Sequence, residues 1–258
     1  MERLVNTKGR GINRSTLRKW GMLFLAAGVI GRGVIQGHIL GVGSASIQQM
    51  MEVIESMPNA MNYATASIIL QILETCAAPI FALLLVEGFQ HTSDYKQYLL
   101  RVLGVAALTE IPYNLAMGAK LLDFGSRNPV FAMALGLIMM YFYRRYSGGG
   151  ISNFLIKAVI TAAAIVWVEM LRIEFGICLL LIIFVLWVFR QKPLYRNFAG
   201  ASAAIACSLF NPFFLASPMG FLAVHLYNGE NAEEDPRVIH LFYPVILLAA
   251  AIAGWLLF

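Results

Sequence analysis

The chain has 258 residues, of which 59% are hydrophobic and only 13% charged, against roughly 25% charged in a soluble domain. That composition excludes an ordinary soluble enzyme, and no run of ~10-residue alternating segments points to a transmembrane barrel. The net charge of +5 is read as membrane orientation, because Lys and Arg collect in cytoplasmic loops; it gives no ground for a nucleic-acid partner.

Several runs approach the length that crosses a bilayer, so the expected fold is all-α, a polytopic membrane helix bundle of about 8 to 10 spans. Residues 1–19 carry Arg3, Lys8, Arg10, Arg14, Arg18 and Lys19 against Glu2 alone. They read as a basic cytoplasmic arm without a convincing cleavage site behind it, and residues 20–258 as a single transmembrane domain. The first helix is expected from about Gly21 to Leu40 and contains Arg32 and Gln36, four apart and so on one face. Gly41 to Ala66 is half polar, and Ile47, Met50, Met51 and Ile54 follow helical spacing, as in an amphipathic surface helix.

A second helix, Ser67 to Phe89, carries Pro79 in its middle, which predicts a kink. The third, Tyr98 to Met117, places Glu110 two residues before Pro112. A fourth begins at Asn128 and Pro129 and ends at Arg144 and Arg145, and a glycine triplet at 148–150 turns the chain. The fifth covers Ile151 to Leu171, and the sixth follows Glu174 and ends near Phe189. A seventh begins near Asn197; Pro212 and Pro218 leave its end open between one broken helix and two short ones. The acidic segment NGENAEEDPR then leads to a last helix, Val238 to Phe258. In the eight-span version the N-terminus is cytoplasmic and this segment lies outside, with His225 and His240 near the outer boundary. Cys76, Cys178 and Cys207 stand singly in apolar runs and read as buried free thiols, with no metal site.

Ionisable groups at membrane depth are costly and need partners or a function. Glu74, Glu87, His91, Arg101 and Glu110 crowd the stretch from 73 to 117. Glu87 and His91 are four apart, so on a continuing helix a carboxylate could orient an imidazole. Against that stands a plain alternative, His91 capping a helix in the headgroup region and Glu87 bonding a neighbour. Glu110 and Arg32 are natural partners for one another, structurally or catalytically. Glu74 has a weaker claim, and with Arg32 is grouped as structural intramembrane polar. Asn128 at a helix start is most simply an N-cap.

The stretch VEGFQHTSDYKQYLLR followed by LTEIPYNLA resembles the TraX family of bacterial membrane proteins. NPVFAMALG, the Glu174/Gly176 element, Tyr227-Asn228-Gly229 and Phe242-Tyr243-Pro244 extend the resemblance through the chain from about residue 65. The chain differs from the family pattern at Ile30-Gly31-Arg32, where an Asp-His pair is usual, and at Ile246, where a histidine is usual. The resemblance implies a membrane-embedded acetyltransferase of the bacterial cytoplasmic (inner) membrane. It takes an acetyl group from cytosolic acetyl-CoA to an acceptor that is a peptide N-terminus, a glycan or a lipid. On this reading the catalytic candidates are His91 as base, Glu87 orienting it, and Glu110. The candidates for holding acetyl-CoA are Arg101, Lys96, Thr92 and Asn128; positive-inside anchoring is the competing account of Arg101 and Lys96. Two other readings stay open: a proton-coupled transporter or flippase working through Glu87 and Glu110, and a catalytically diverged membrane scaffold.

Overall fold

The computed structural model describes residues 11–42, 52–53, 55–118, 121, 125–230 and 236–257, the last including 236–240 as backbone only. The described residues form an all-helical bundle. Helix α1, Arg14–Val29, starts on an Asn13 cap whose side chain accepts from the Thr16 amide, so the helix begins inside the segment expected to be an arm. It continues into a π-helical segment, Ile30–Ile39, whose glycines allow the wider turn. Ile47, Met50, Met51 and Ile54, expected to form the apolar face of an amphipathic helix, lie outside the described residues.

The helix expected at Ser67 to Phe89 is two, α2 (Ala60–Thr75) and α3 (Ala77–His91), separated at Cys76. Proline lacks an amide hydrogen and its ring crowds the carbonyl four residues back; for Pro79 that carbonyl belongs to Thr75, beside the break. Then follow α4 (Tyr95–Gly118), α5 (Val130–Arg145), α6 (Ile151–Met170) and α7 (Gly176–Val188). Among the described residues four stretches, Arg14–Ile39, Ala60–His91, Tyr95–Gly118 and Ile151–Met170, are long and apolar enough to cross a membrane. Helix α3 is the central rod, with Ile80, Leu83, Val86 and Phe89 all buried. Phe89 packs on Trp187 of α7 at 5.3 Å and takes the Arg144 guanidinium of α5 over its ring at 5.1 Å.

These contacts define one end of the bundle, where the start of α1 and the ends of α3, α5 and α7 meet. It carries Arg14, Arg18, Lys19, Lys96, Arg101, Arg144, Arg145, Arg190, Lys192 and Arg196, and is called the basic end below. The seventh helix departs most from expectation. Helix α8 (Pro193–Ala206) enters from the basic end, and short 3-10 turns at Cys207–Leu209 and Pro212–Ala216 reverse the chain. Helix α9 (Pro218–Leu226) then returns. Pro212 and Pro218 break α8's course but start the next turns, since proline is well suited to a first helical position.

The tip of this hairpin reaches mid-depth. Thr75 Oγ1 donates to the Phe213 carbonyl (3.1 Å) and the Cys76 thiol to that of Ala216 (3.5 Å), at the break between α2 and α3. Only glycine fits at position 220, because a Cβ there would collide with the Cys76 carbonyl. The Ile12 amide donates to the Leu226 carbonyl (2.9 Å), and the Asn228 amide to that of Ile12 (3.0 Å). The start of the acidic segment therefore lies at the basic end and not on the opposite side, and exposed His225, 3.4 Å from Asn197, lies there too. The last helix, α10 (Pro236–Leu257), runs away from the basic end and sets Gly254 against His38 at the far end. The three cysteines are buried free thiols.

Candidate functional site

Departures from regular helix converge at one level of the bundle. The π segment brings Arg32, the α2/α3 break follows Glu74, and Pro112 in α4 follows Glu110. Pro244 in α10 follows Tyr243. Two non-helical stretches join them, because the Arg127 and Glu174 amides donate to the Arg172 and Arg127 carbonyls, both at 3.0 Å. Phe175, with φ 55, turns the second stretch into α7. Irregular backbone at membrane depth is tolerated only where protein or a wet cavity surrounds it; Asn128 is fully buried.

The interior is a charged network. Arg32 pairs with Glu74 (2.6 Å) and with Glu174, and its guanidinium lies 5.0 Å from the Phe175 ring centroid. Tyr113 donates to Glu174 and sits 3.3 Å from Ser126 Oγ. Arg127 pairs with Glu110 (2.8 Å), and Asn128 Nδ2 donates to the same carboxylate (2.7 Å) and to the Ala106 carbonyl (2.9 Å). Among the described residues this network sets three carboxylates against two guanidiniums, so one carboxylate is in excess. Glu74 has the most room to act: its Oε2 is buried and bonded to no protein group, as are the Tyr243 hydroxyl and both side-chain polar atoms of Asn114. Glu74 and Tyr243 help line a cavity of about 200 Å³ whose other walls include Met22, Phe81, Leu85 and Val102. A buried polar atom without a partner costs a few kcal/mol, which marks this wall as the place where a ligand or water gains most.

The elbow after α3 is organised differently. The Glu87 carboxylate accepts from the Tyr227 hydroxyl (2.9 Å), while His91 Nδ1 meets the Glu87 backbone carbonyl at 2.8 Å. The expected carboxylate–imidazole pair is thus not formed: the helix ends at His91, its imidazole turns back to the main chain, and it is exposed. Thr92 bonds within the elbow, Oγ1 to the Asp94 carbonyl (3.1 Å). Arg101 holds its own Gln97 (2.5 Å), and both Arg101 and Lys96 are exposed. The pairing expected between Arg32 and Glu110 is also corrected, since Glu74 and Glu174 take Arg32 and the loop brings Arg127 to Glu110. Asn128 does more than cap: its Oδ1 accepts from the Val130 amide (3.1 Å) while its Nδ2 ties α5 to α4.

A family model described as TraX protein matches residues 50–253. The chain belongs to the TraX family. No curated protein and no solved structure matches it. The TraX match covers Glu74, Glu110, Arg127, Asn128, Glu174 and Tyr243 but not Arg32, which lies in the unmatched first helix. Arg32 thus supplies from outside the TraX match the cation that two matched carboxylates share.

Sequence reasoning missed Arg127 and did not weigh Tyr113, Asn114 and Tyr243 as site residues. Their signal was adjacency: Tyr113 and Asn114 follow Glu110 at helical spacing, and Arg127 precedes the buried Asn128. No group of three or more His, Cys, Asp or Glu side chains among the described residues is arranged to hold a metal. At the basic end, burial and then the Glu87 carboxylate push the Tyr227 phenol well above its usual value, so it stays a hydrogen-bond donor to Glu87.

Proposed function

We propose that this TraX family member is a membrane acyltransferase whose reaction centre is the interior network around Glu74 and Tyr243. One observation carries the reading: a carboxylate oxygen and a phenol, both buried and unbonded to protein, belong to residues that line a mostly apolar cavity. The donor is acetyl-CoA, and the acceptor an amine or hydroxyl on a peptide, glycan or lipid. Glu74 Oε2 takes the acceptor's N–H or O–H proton as its nitrogen or oxygen bonds to the acyl carbon. The C–S bond breaks, and the leaving thiolate collects the proton as free CoA. Arg32 and the Tyr243 hydroxyl are the donors for the developing oxyanion. The positive-inside tendency sets the basic end on the cytoplasmic side of the bacterial inner membrane, the side from which acetyl-CoA arrives.

The test is release of CoA thiol and transfer of label from radioactive acetyl-CoA in proteoliposomes supplied with a membrane extract as acceptor. Tyr243→Phe removes a hydroxyl that holds nothing in the protein, so the fold is expected to be intact and turnover to fall at least about tenfold. Wild-type turnover in both Tyr243→Phe and Glu74→Gln overturns the assignment. The excess carboxylate also supports a second reading, proton-coupled transport. It predicts pH-driven uptake into the same vesicles with no CoA requirement.

A further inference from the structure

Of the 20 residues of α6 only Ala164 and Val168 are buried, so most of its surface is left to the bilayer. Phe154, Ala158, Ala162 and Ile165 recur on it at three- and four-residue steps, and Lys157 and Thr161 fill the adjoining stripe. Alanine at two successive turns leaves a trough of about 740 Å³ between this face and the ends of α5 and α7. Its walls change along the helix. Toward the basic end stand Arg144, Lys157 and Arg190, and further inward Ala162, Ile165 and Phe184. Contacts fix the charged end. The Arg144 guanidinium lies 5.1 Å from the Phe89 ring centroid, that of Arg190 lies 4.0 Å from the Trp187 centroid, and the two rings pack at 5.3 Å. Tyr143, beside Arg144, ties α5 to α6, its hydroxyl lying against Thr161 Oγ1 and 3.3 Å from the Lys157 carbonyl. Among the described residues no carboxylate is bonded to any of these three cations, and none lines the trough.

We propose that the trough between α5, α6 and α7 holds an anionic phospholipid, its phosphate among Arg144, Lys157 and Arg190 and an acyl chain along Ala158 and Ala162 toward Ile165. Charge complementarity carries the choice of occupant, since basic pockets between membrane helices take anionic headgroups. The Arg190 guanidinium is held flat on Trp187 and bonds the Trp187 carbonyl through Nη1 (2.8 Å). Its remaining N–H groups are bonded to no described residue, and a guanidinium edge matches phosphate oxygens two at a time. The shape fits a lipid rather than a soluble anion. Phe154, Ala158, Ala162 and Ile165 are exposed, so the trough opens sideways onto the bilayer. Lys157 and Ile165 are eight residues apart, which gives about 12 Å of apolar wall below the headgroup. The trough shares no lining residue with the cavity at Glu74, so the lipid site stands whether or not the chain transfers acyl groups.

The experiment uses Trp187, which lines the trough, as reporter in the full chain. The other tryptophans are exposed and are replaced by Trp20→Phe, Trp167→Phe and Trp255→Phe. This protein is placed in phosphatidylcholine vesicles that contain a minor share of chain-brominated phosphatidylglycerol or chain-brominated phosphatidylcholine, and quenching of Trp187 is read. The brominated phosphatidylglycerol is expected to be enriched at Trp187 about fivefold or more over its zwitterionic counterpart. Arg144→Gln together with Lys157→Gln is expected to remove most of that preference. Ala162→Leu fills the trough while keeping every charge and is expected to reduce quenching by the anionic lipid as well. Arg145→Gln, an exposed cation at the same end that does not line the trough, is expected to change nothing. Equal quenching by the two lipids overturns the site. A preference that survives both the paired cation changes and Ala162→Leu overturns it too, because it then belongs to the basic end at large. Equal quenching from a chain that native mass spectrometry finds in pairs gives this face to a second copy and likewise overturns the lipid site.

Discussion

Two charged clusters of opposite sign organise this protein, and they are held by different physics. The interior one sets Glu74, Glu110 and Glu174 against Arg32 and Arg127, with every cation bonded to a carboxylate. The basic-end one gathers the cations at the starts of α1 and α8 and the ends of α5 and α7, beside a Glu87 carboxylate that Tyr227 holds. In the interior, removing water makes each unpaired charge expensive, so side chains are drawn into pairs across segments far apart in sequence. At the end of the bundle half-exposed guanidiniums keep part of their hydration and can stand together. On the acyltransferase reading, the interior's excess carboxylate is the group that takes up the acceptor's proton. The histidine elbow belongs to neither cluster, since its imidazole is exposed and bonded only to its own helix.

The contrast breaks most sharply at Arg32. Arg32→Ala strips the shared cation from two buried carboxylates, and the expected loss is about 3–5 kcal/mol, measured by reversible unfolding in mixed micelles with SDS. A loss near that of an exposed salt bridge, below about 1 kcal/mol, would mean that the interior network is wet and its pairs weak. Gly28→Ala sharpens the same point through packing. A Cβ at position 28 would overlap the Glu74 carboxyl, so about 1–3 kcal/mol of destabilisation is expected. A drop in acyl transfer should accompany it, because the carboxylate must move. The smallest effect is assigned to His91→Ala. With the imidazole exposed, stability should stay within about 0.5 kcal/mol of wild type, and acyl transfer should be unchanged. Loss of transfer in this variant, with the fold intact by circular dichroism, would return the chemistry to the elbow.

Much of the architecture was legible before any coordinates. The all-helical bundle followed from composition and run length, and the family from VEGFQHT and the EIP stretch. Glu110 beside Pro112 was singled out as a deep carboxylate in need of a partner, and it is buried and paired. Its partner was not legible. Arg32 was the obvious choice by chemistry, but the pairing depends on which loop folds inward, and the 125–128 loop carries Arg127 to it through a backbone bond with residue 172. The hairpin was equally out of reach. Two prolines say that a helix is interrupted, and nothing local says whether the chain then continues outward or turns back.

Residue types and their periods thus determined that the chain is a helical membrane protein with costly charges inside it, and its motifs carried the resemblance to the TraX family. Only the tertiary structure decided which charges meet. Helical spacing reports neighbours four residues apart, whereas Arg32 with Glu74 and Glu174, Glu110 with Arg127, and Glu87 with Tyr227 are joined across 17 to 142 positions. Those pairings arise because burial removes water from every charge at once, so the bundle settles where distant helices can supply the missing partners.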